Sequence, residues 1–233
     1  MTEGKKQNGK YRHELKYKLN YSQYISIKKR LASVMELDKN VGENGRYIIR
    51  SVYFDNIYDK ALREKVDGVQ KREKFRIRYY NDDFSFIRLE KKIKHNNLCM
   101  KCSAPITLEQ CRDILTGNAE SLKNDPSELV RELYCKMEGL LLRPRVLVSY
   151  IREPFVYKPG NVRVTLDYNV RTSMYDNKLF ECGVHDISAM DTSVEYILEV
   201  KYDAFLPEVI SHIVQTDVRQ TAFSKYGACR RFG

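Results

Sequence analysis

Several stretches of the chain alternate apolar and charged residues one by one. Lys74-Phe75-Arg76-Ile77-Arg78 sets Phe and Ile against Lys, Arg and Arg. Arg88 to Lys94 sets Leu89 and Ile93, with Lys91, against Arg88, Glu90, Lys92 and Lys94. Arg163, Thr165 and Asp167 alternate with Val164 and Leu166; Glu199 and Lys201 alternate with Leu198 and Val200. Near the start, Arg12, Glu14 and Lys16 share one parity. Successive side chains of a strand point to opposite faces, so each stretch predicts a strand with one apolar face and one cationic face sprinkled with carboxylates.

The remaining pattern predicts further strands at Tyr11–Leu19, Tyr47–Phe54, Lys71–Tyr80, Phe84–His95, Leu98–Ala104, Arg145–Arg152, Asn161–Tyr168, Lys178–Phe180 and Tyr196–Tyr202. Asn81-Asp82-Asp83 is a hairpin signal. Helices are predicted over Ser22–Met35 and Tyr58–Val66 from apolar residues in helical register. Thr107 with Gln110 makes a capping box that opens another. Asp125-Pro126-Ser127-Glu128 supplies an N-cap and a proline at the first helical position, starting a helix to about Leu142. Pro207 opens a last helix through Val214. Residues 1–10 predict a disordered basic tail and 11–233 a single domain. Strands outnumber helices and the connections are short, so the expected class is α+β, an antiparallel barrel flanked by helices.

Where the charges go decides the rest. Charged strand faces are usually solvated, with the apolar faces inward. Two features favour the reverse. Helices need apolar sheet surface to pack on, and only the apolar faces supply it. The charged faces also favour Arg and Lys with isolated carboxylates over the mixture of Ser, Thr, Gln and Lys common on wet surfaces. Crowded cations repel: at an effective dielectric near 20, two like charges about 6 Å apart cost roughly 3 kcal/mol. Glu14, Glu90, Asp167 and Glu199 offset part of this, and a bound polyanion would offset more.

The bulk numbers agree with such a partner. The 233 residues carry 41 Lys and Arg against 31 Asp and Glu, a net charge of +10. That surplus favours nucleic acid, anionic membrane or phosphate compounds. The basic residues do not cluster on one helix and no nucleic-acid motif occurs, so nucleic acid is not expected. No apolar run reaches the ~18 residues of a membrane span, and Met1–Lys10 lacks a signal-peptide core, so the expectation is a cytoplasmic chain with reduced thiols. Cys99 and Cys102 form a lone C-x-x-C without a second pair, and Cys111, Cys135, Cys182 and Cys229 are scattered. Buried or partly exposed thiols are expected in place of a metal or redox site.

The charged segments also carry a family resemblance. Arg-His-Glu-Leu-Lys-Tyr (12–17), Ser-Val-Tyr-Phe-Asp (51–55), Lys-Phe-Arg-Ile-Arg-Tyr-Tyr (74–80), Leu-Glu-Lys-Lys-Ile-Lys (89–94) and Lys101 come first. Ser-Tyr-Ile-Arg (149–152), Asn-Val-Arg-Val-Thr-Leu-Asp (161–167), Leu-Glu-Val-Lys-Tyr (198–202) and Phe-Ser-Lys-Tyr (223–226) follow. In order and spacing these resemble the VTC domain, the polyphosphate-polymerase branch of the triphosphate tunnel metalloenzymes. The resemblance implies an eight-stranded antiparallel tunnel barrel with a charged lumen. It implies Lys16, Arg76, Arg78, Lys92, Lys101, Arg152, Arg163, Lys201 and Lys225 as phosphate binders, and Glu199 as the ligand of Mn²⁺ or Mg²⁺. Arg12, Glu14, Glu90, Tyr150, Thr165 and Asp167 would line the tunnel. The superfamily's hydrolases usually open with E-x-E-x-K; here Arg12 takes the first position, which exchanges a potential metal ligand for a phosphate clamp.

The implied activity moves the terminal phosphoryl of ATP, or another nucleoside triphosphate, onto a growing polyphosphate. Arg76, Arg78, Lys92, Arg152, Arg163 and Glu199 would act in catalysis, since phosphoryl transfer needs placement and charge neutralisation more than covalent help. The acceptor is already ionised at neutral pH, so no histidine base is required. A triphosphatase of the same fold and a non-catalytic polyanion-binding module are the alternatives. Family members can sit beside membrane proteins, so a membrane partner in another chain, at the inner face of the membrane, is a further expectation.

Overall fold

The structure is a computed structural model that describes residues 9–174, 186–190 and 196–232. The predicted strand Lys178–Phe180, Cys182 and most of the predicted tail lie outside these. Along the chain, β1 (Arg12–Leu19) leads to α1 (Tyr21–Ala32), the short β2 (Glu36–Leu37), β3 (Tyr47–Asp55) and α2 (Lys60–Val66). Then come β4 (Lys71–Tyr80), β5 (Asp83–His95), β6 (Leu98–Pro105), α3 (Leu108–Leu115) and α4 (Glu128–Gly139). The second half holds β7 (Arg143–Tyr157), β8 (Val162–Met174), the short β9 (Ile187–Ser188), β10 (Tyr196–Tyr202), α5 (Glu208–Val214) and α6 (Lys225–Cys229).

Eight strands close a ring in the order β7-β3-β4-β5-β6-β1-β10-β8, with β8 returning to β7, and every pairing is antiparallel. Closure removes the sheet edges that would otherwise expose unpaired backbone. The seam between β1 and β6 is the shortest, pairing only Arg12 with Cys99 and His13 with Leu98. Beyond it the segment before α6 lies against β1, where the Thr221 amide donates to the Lys16 carbonyl at 2.9 Å.

The apolar strand faces point outward, under the helices. Phe75, Ile77 and Leu89 pack with Cys111, Ile114 and Leu115 of α3 and Val130, Leu133 and Met137 of α4. Val164, Leu166, Leu198 and Val200 pack with Ile27 and Leu31 of α1 and Ile210 and Val214 of α5. Each fully buried side chain of this kind contributes roughly 1.5–3 kcal/mol, and it is this burial that turns the charged faces toward the barrel axis.

Three local expectations need correction. The helix at Pro126 starts later: Ser127 is its N-cap and Glu128 its first residue, because the Asp125 carboxylate accepts the Ser127 amide at 2.8 Å and makes a turn of Asp125-Pro126. Pro207–Val214 is not the last helix, since α6 follows, capped by the Ser224 hydroxyl, which accepts the Gly227 amide. The interior is not charged throughout. Ile49, Val146, Val148, Val170, Tyr226 and Cys229 form a buried apolar cluster on inward positions of β3, β7 and β8, filled by α6. The strand β8 reaches that cluster through an irregularity at Asn169, whose φ of 51° moves Val170 and Thr172 onto the inward face after Asp167. The capping box at Thr107 and Gln110 forms as expected.

Candidate functional site

Inside the ring, the inward positions of β1, β4, β5, β6, β7, β8 and β10 converge on a cavity of about 370 Å³. It is lined by Lys16, Arg76, Arg78, Lys92, Lys101, Arg152, Arg163, Lys201 and Lys225, together with Arg12, Glu14, Tyr150 and Glu199. These positions come from seven strands and the start of α6, and the register between the strands brings theirs level. Glu199 pairs across with Lys16 on one side and Thr165 on the other; Arg76 pairs with Glu90, and Lys92 with Lys101.

A few carboxylates hold many cations. Glu90 is 2% exposed and accepts from Arg76 Nε at 2.8 Å and Nη2 at 2.6 Å, and from Lys101 at 2.8 Å. Asp167, with no exposure, accepts both arms of Arg152, at 2.6 and 2.7 Å, and Lys225 at 2.5 Å. Glu14 takes Lys92 at 2.7 Å and Lys16 at 3.2 Å. Glu199 takes Lys201 at 2.6 Å, Lys16 at 3.2 Å and Arg152 at 3.9 Å. Burial opposes ionisation of all four, yet the cations win. Arg152 and Lys225 hold Asp167 below the usual carboxylate range, and Arg76, Arg78 and Lys101 hold Glu90 well below it. Lys201, Lys16 and Arg152 do the same for Glu199, and Lys16 and Lys92 for Glu14. Lys16 moves the other way: burial favours its neutral form, but Glu14 and Glu199 raise it above the ordinary lysine value.

Not every predicted residue faces the cavity. Glu90, Thr165 and Asp167 are inward but buried beneath the lining, so the two carboxylates act by holding the cations above them. Thr165 Oγ1 has no hydrogen-bond partner among the described residues. Arg12 lies at the rim, where its Nε donates to Asp203 at 2.8 Å and its Nη2 to the Asn161 carbonyl. Arg163 is also near a mouth, bonded to Tyr47 Oη at 2.9 Å and Asp38 at 2.9 Å.

Lys74 and Tyr53 are among the lining residues that the sequence reading did not single out. Lys74 shares the parity of Arg76 and Arg78, so its signal was present. Tyr53 points inward and accepts from Arg76 Nη1 at 2.7 Å. Burial opposes ionisation of Tyr53, but Arg76, Lys74 and Arg78 bring its hydroxyl down to about 7. Tyr150 accepts from Arg78 Nη2 at 3.1 Å and offers its ring to Lys225, 4.6 Å away.

Among the described residues, no three His, Cys, Asp or Glu side chains lie close enough to cage a metal ion. Cys99 and Cys102 are three apart on one strand, which points them to opposite faces. For a hard divalent cation the residues fit only the shared mode, in which one or two carboxylates and substrate phosphates complete the shell. Glu199, with Glu14 nearby on the same lysines, is the pair placed for it.

A closed ring of eight antiparallel strands around a cation-lined interior defines a tunnel barrel. The chain belongs to the VTC domain family, whose family model matches residues 11–232. Its fold is similar to that of an adenylyl cyclase candidate from Hippeastrum with a dominant triphosphatase activity, at 13% identity, covering 95% of both chains with a TM-score of 0.56. It is also similar to an adenylate cyclase candidate from Bacillus halodurans, at 15% identity over 82% of this chain and 80% of that one, TM-score 0.46. The PH1012 protein of Pyrococcus horikoshii OT3 matches at 14% identity over 89% and 94% of the two chains, TM-score 0.44. No curated protein matches it in sequence.

Proposed function

We propose that this barrel is a metal-dependent polyphosphate polymerase that transfers the terminal phosphoryl of ATP, or another nucleoside triphosphate, onto a phosphate chain held in the tunnel. The observation that carries the proposal is the length of the cationic path. The main cavity abuts a second of about 360 Å³, and the two share Glu14, Lys16, Lys74, Lys92, Cys99 and Ser224. The second is lined further out by Lys65, Arg72 and Lys94. A path of this length suits a chain longer than a triphosphate.

Arg76, Arg78, Arg152 and Arg163 would clamp equatorial phosphate oxygens, for which a planar guanidinium is suited, with Lys16, Lys92, Lys101, Lys201 and Lys225 as point charges. Glu90 and Asp167 keep the arginines aimed by fixing them from behind. Glu199 would hold Mn²⁺ or Mg²⁺ jointly with phosphate oxygens; the ion, when bound, neutralises charge on the transferring group. An ionised acceptor phosphate attacks in line and needs no proton removed, so the chain's own task is positioning.

Incubation with ATP and Mn²⁺ followed by gel analysis of phosphate chains is the test. Chain growth supports the proposal; its absence, where ATP binds, overturns it. Glu199→Ala should lose turnover more than polyphosphate binding, while Arg76→Ala should lose both. The activity named for the Hippeastrum protein favours triphosphatase as the second reading, and orthophosphate released without chain growth would establish it. Tight, salt-sensitive polyphosphate binding without metal-dependent turnover would indicate a binding module. Among the described residues no helix is long and apolar enough to cross a membrane.

A further inference from the structure

The junction of the two cavities contains three lysines, and they are not equivalent. Lys92 is matched by Glu14 at 2.7 Å, and Lys16 by Glu14 and Glu199, each at 3.2 Å. Lys74 has no carboxylate within ion-pair distance among the described residues. Its ammonium lies over two aromatic faces, 5.1 Å from the centre of the Tyr53 ring and 5.7 Å from that of Tyr226. Aromatic faces attract a cation by only about 0.5–2 kcal/mol and leave its charge uncancelled. A phosphate oxygen reaching Lys92 or Lys16 must compete with a carboxylate; at Lys74 it displaces none.

Burial pushes Lys74 down to about 8, with Lys92, Lys16 and Arg76 adding to the shift and Tyr53 opposing it. Tyr53 adds no dependable donor: its oxygen accepts from Arg76, and the cations around it bring its hydroxyl to about 7, so near neutral pH much of it lacks the proton an anion would need.

We propose that Lys74 binds the phosphate unit at the junction of the two cavities, and is needed by chains that occupy both cavities but not by a triphosphate held in one. The proposal rests on the assignment of the barrel as a polyphosphate-binding tunnel.

Calorimetry with inorganic tripolyphosphate and with a defined long-chain polyphosphate tests it on wild type, Lys74→Met and Lys74→Arg. Loss of one charge-assisted hydrogen bond, about 1.5–3 kcal/mol, converts to roughly a 10- to 100-fold loss of long-chain affinity in Lys74→Met. Tripolyphosphate affinity should stay within about twofold, which also reports an intact barrel, and Lys74→Arg should retain long-chain binding. Unchanged long-chain binding by Lys74→Met overturns the inference and leaves the tunnel assignment standing. Equal losses for both ligands, repeated in Lys74→Gln, overturn the division between the cavities. Wild type that binds neither ligand overturns the tunnel assignment and the inference with it.

Discussion

Replacing Glu90 by Gln separates the stability of this barrel from its affinity for phosphate. The carboxylate is 2% exposed and holds Arg76 through two nitrogens, at 2.8 and 2.6 Å, and Lys101 at 2.8 Å, with Arg78 at 3.7 Å. Removing one member of a buried ion pair costs about 3–5 kcal/mol, because the other charge stays behind. Glutamine keeps one carbonyl acceptor, which returns about 1 kcal/mol, and Lys101 is half exposed and can reach water. The net expectation is a loss of about 3 kcal/mol, or roughly 6–12 °C in Tm for a domain of this size. The freed guanidinium of Arg76 should bind tripolyphosphate more tightly than in wild type. Ligand at about 100 times its Kd adds about 2.7 kcal/mol to any protein that binds it, and at a fixed ligand concentration the tighter binder gains more. Urea unfolding followed by far-UV circular dichroism, with and without tripolyphosphate, should therefore show a gap between variant and wild type that narrows when ligand is present. A variant that unfolds at the wild-type urea concentration refutes the energetic reasoning. One that is destabilised but binds tripolyphosphate no better refutes the idea that Glu90 competes with phosphate.

The lowered carboxylates predict an acid limb. A group whose folded value lies below its unfolded value, near 3.9 for Asp, contributes stability that is complete above the unfolded value and lost as pH falls through the folded one. Asp167, Glu14, Glu90 and Glu199 all shift this way, so stability should be level in this respect from about pH 5 to 7 and fall below about pH 4, with a shallower fall in Asp167→Asn. Burial pushes the thiols of Cys111 and Cys229 up to about 12; at neutral pH a thiol reagent should label exposed Cys135 in the folded protein and those two only after unfolding. Tyr226→Phe removes the 2.5 Å bond to Asp55, whose carboxylate also accepts the Ala61 and Leu62 amides at the start of α2. A loss of about 1–3 kcal/mol in urea is expected, and an unchanged midpoint would show that α6 is not fastened through this residue.

The alternating segments made the strands legible because period-two patterning is a property of neighbours in sequence, and Phe75, Ile77, Leu89, Val164 and Leu198 all lie where that pattern puts them. The capping box at Thr107 and Gln110 was legible for the same local reason, whereas the phosphate-binding candidates came from the family resemblance. Alternation alone could not give which face turned inward; the helices' need for apolar sheet surface did, and the structure has the charged faces inside. Nor could alternation rank the cations. Lys74 and Lys92 look alike along the chain, yet Lys92 meets Glu14 across the barrel while Lys74 lies over aromatic rings and, among the described residues, meets no carboxylate. The apolar plug of Tyr226 and Cys229 was likewise hidden, because a five-residue helix carries too little periodicity to announce itself and its partners, Val146, Val148 and Val170, are far away in sequence. Local alternation therefore settled the strands and the supply of charge. Ring closure, which sets register between strands distant in sequence, settled which cations are matched by carboxylates and which are not.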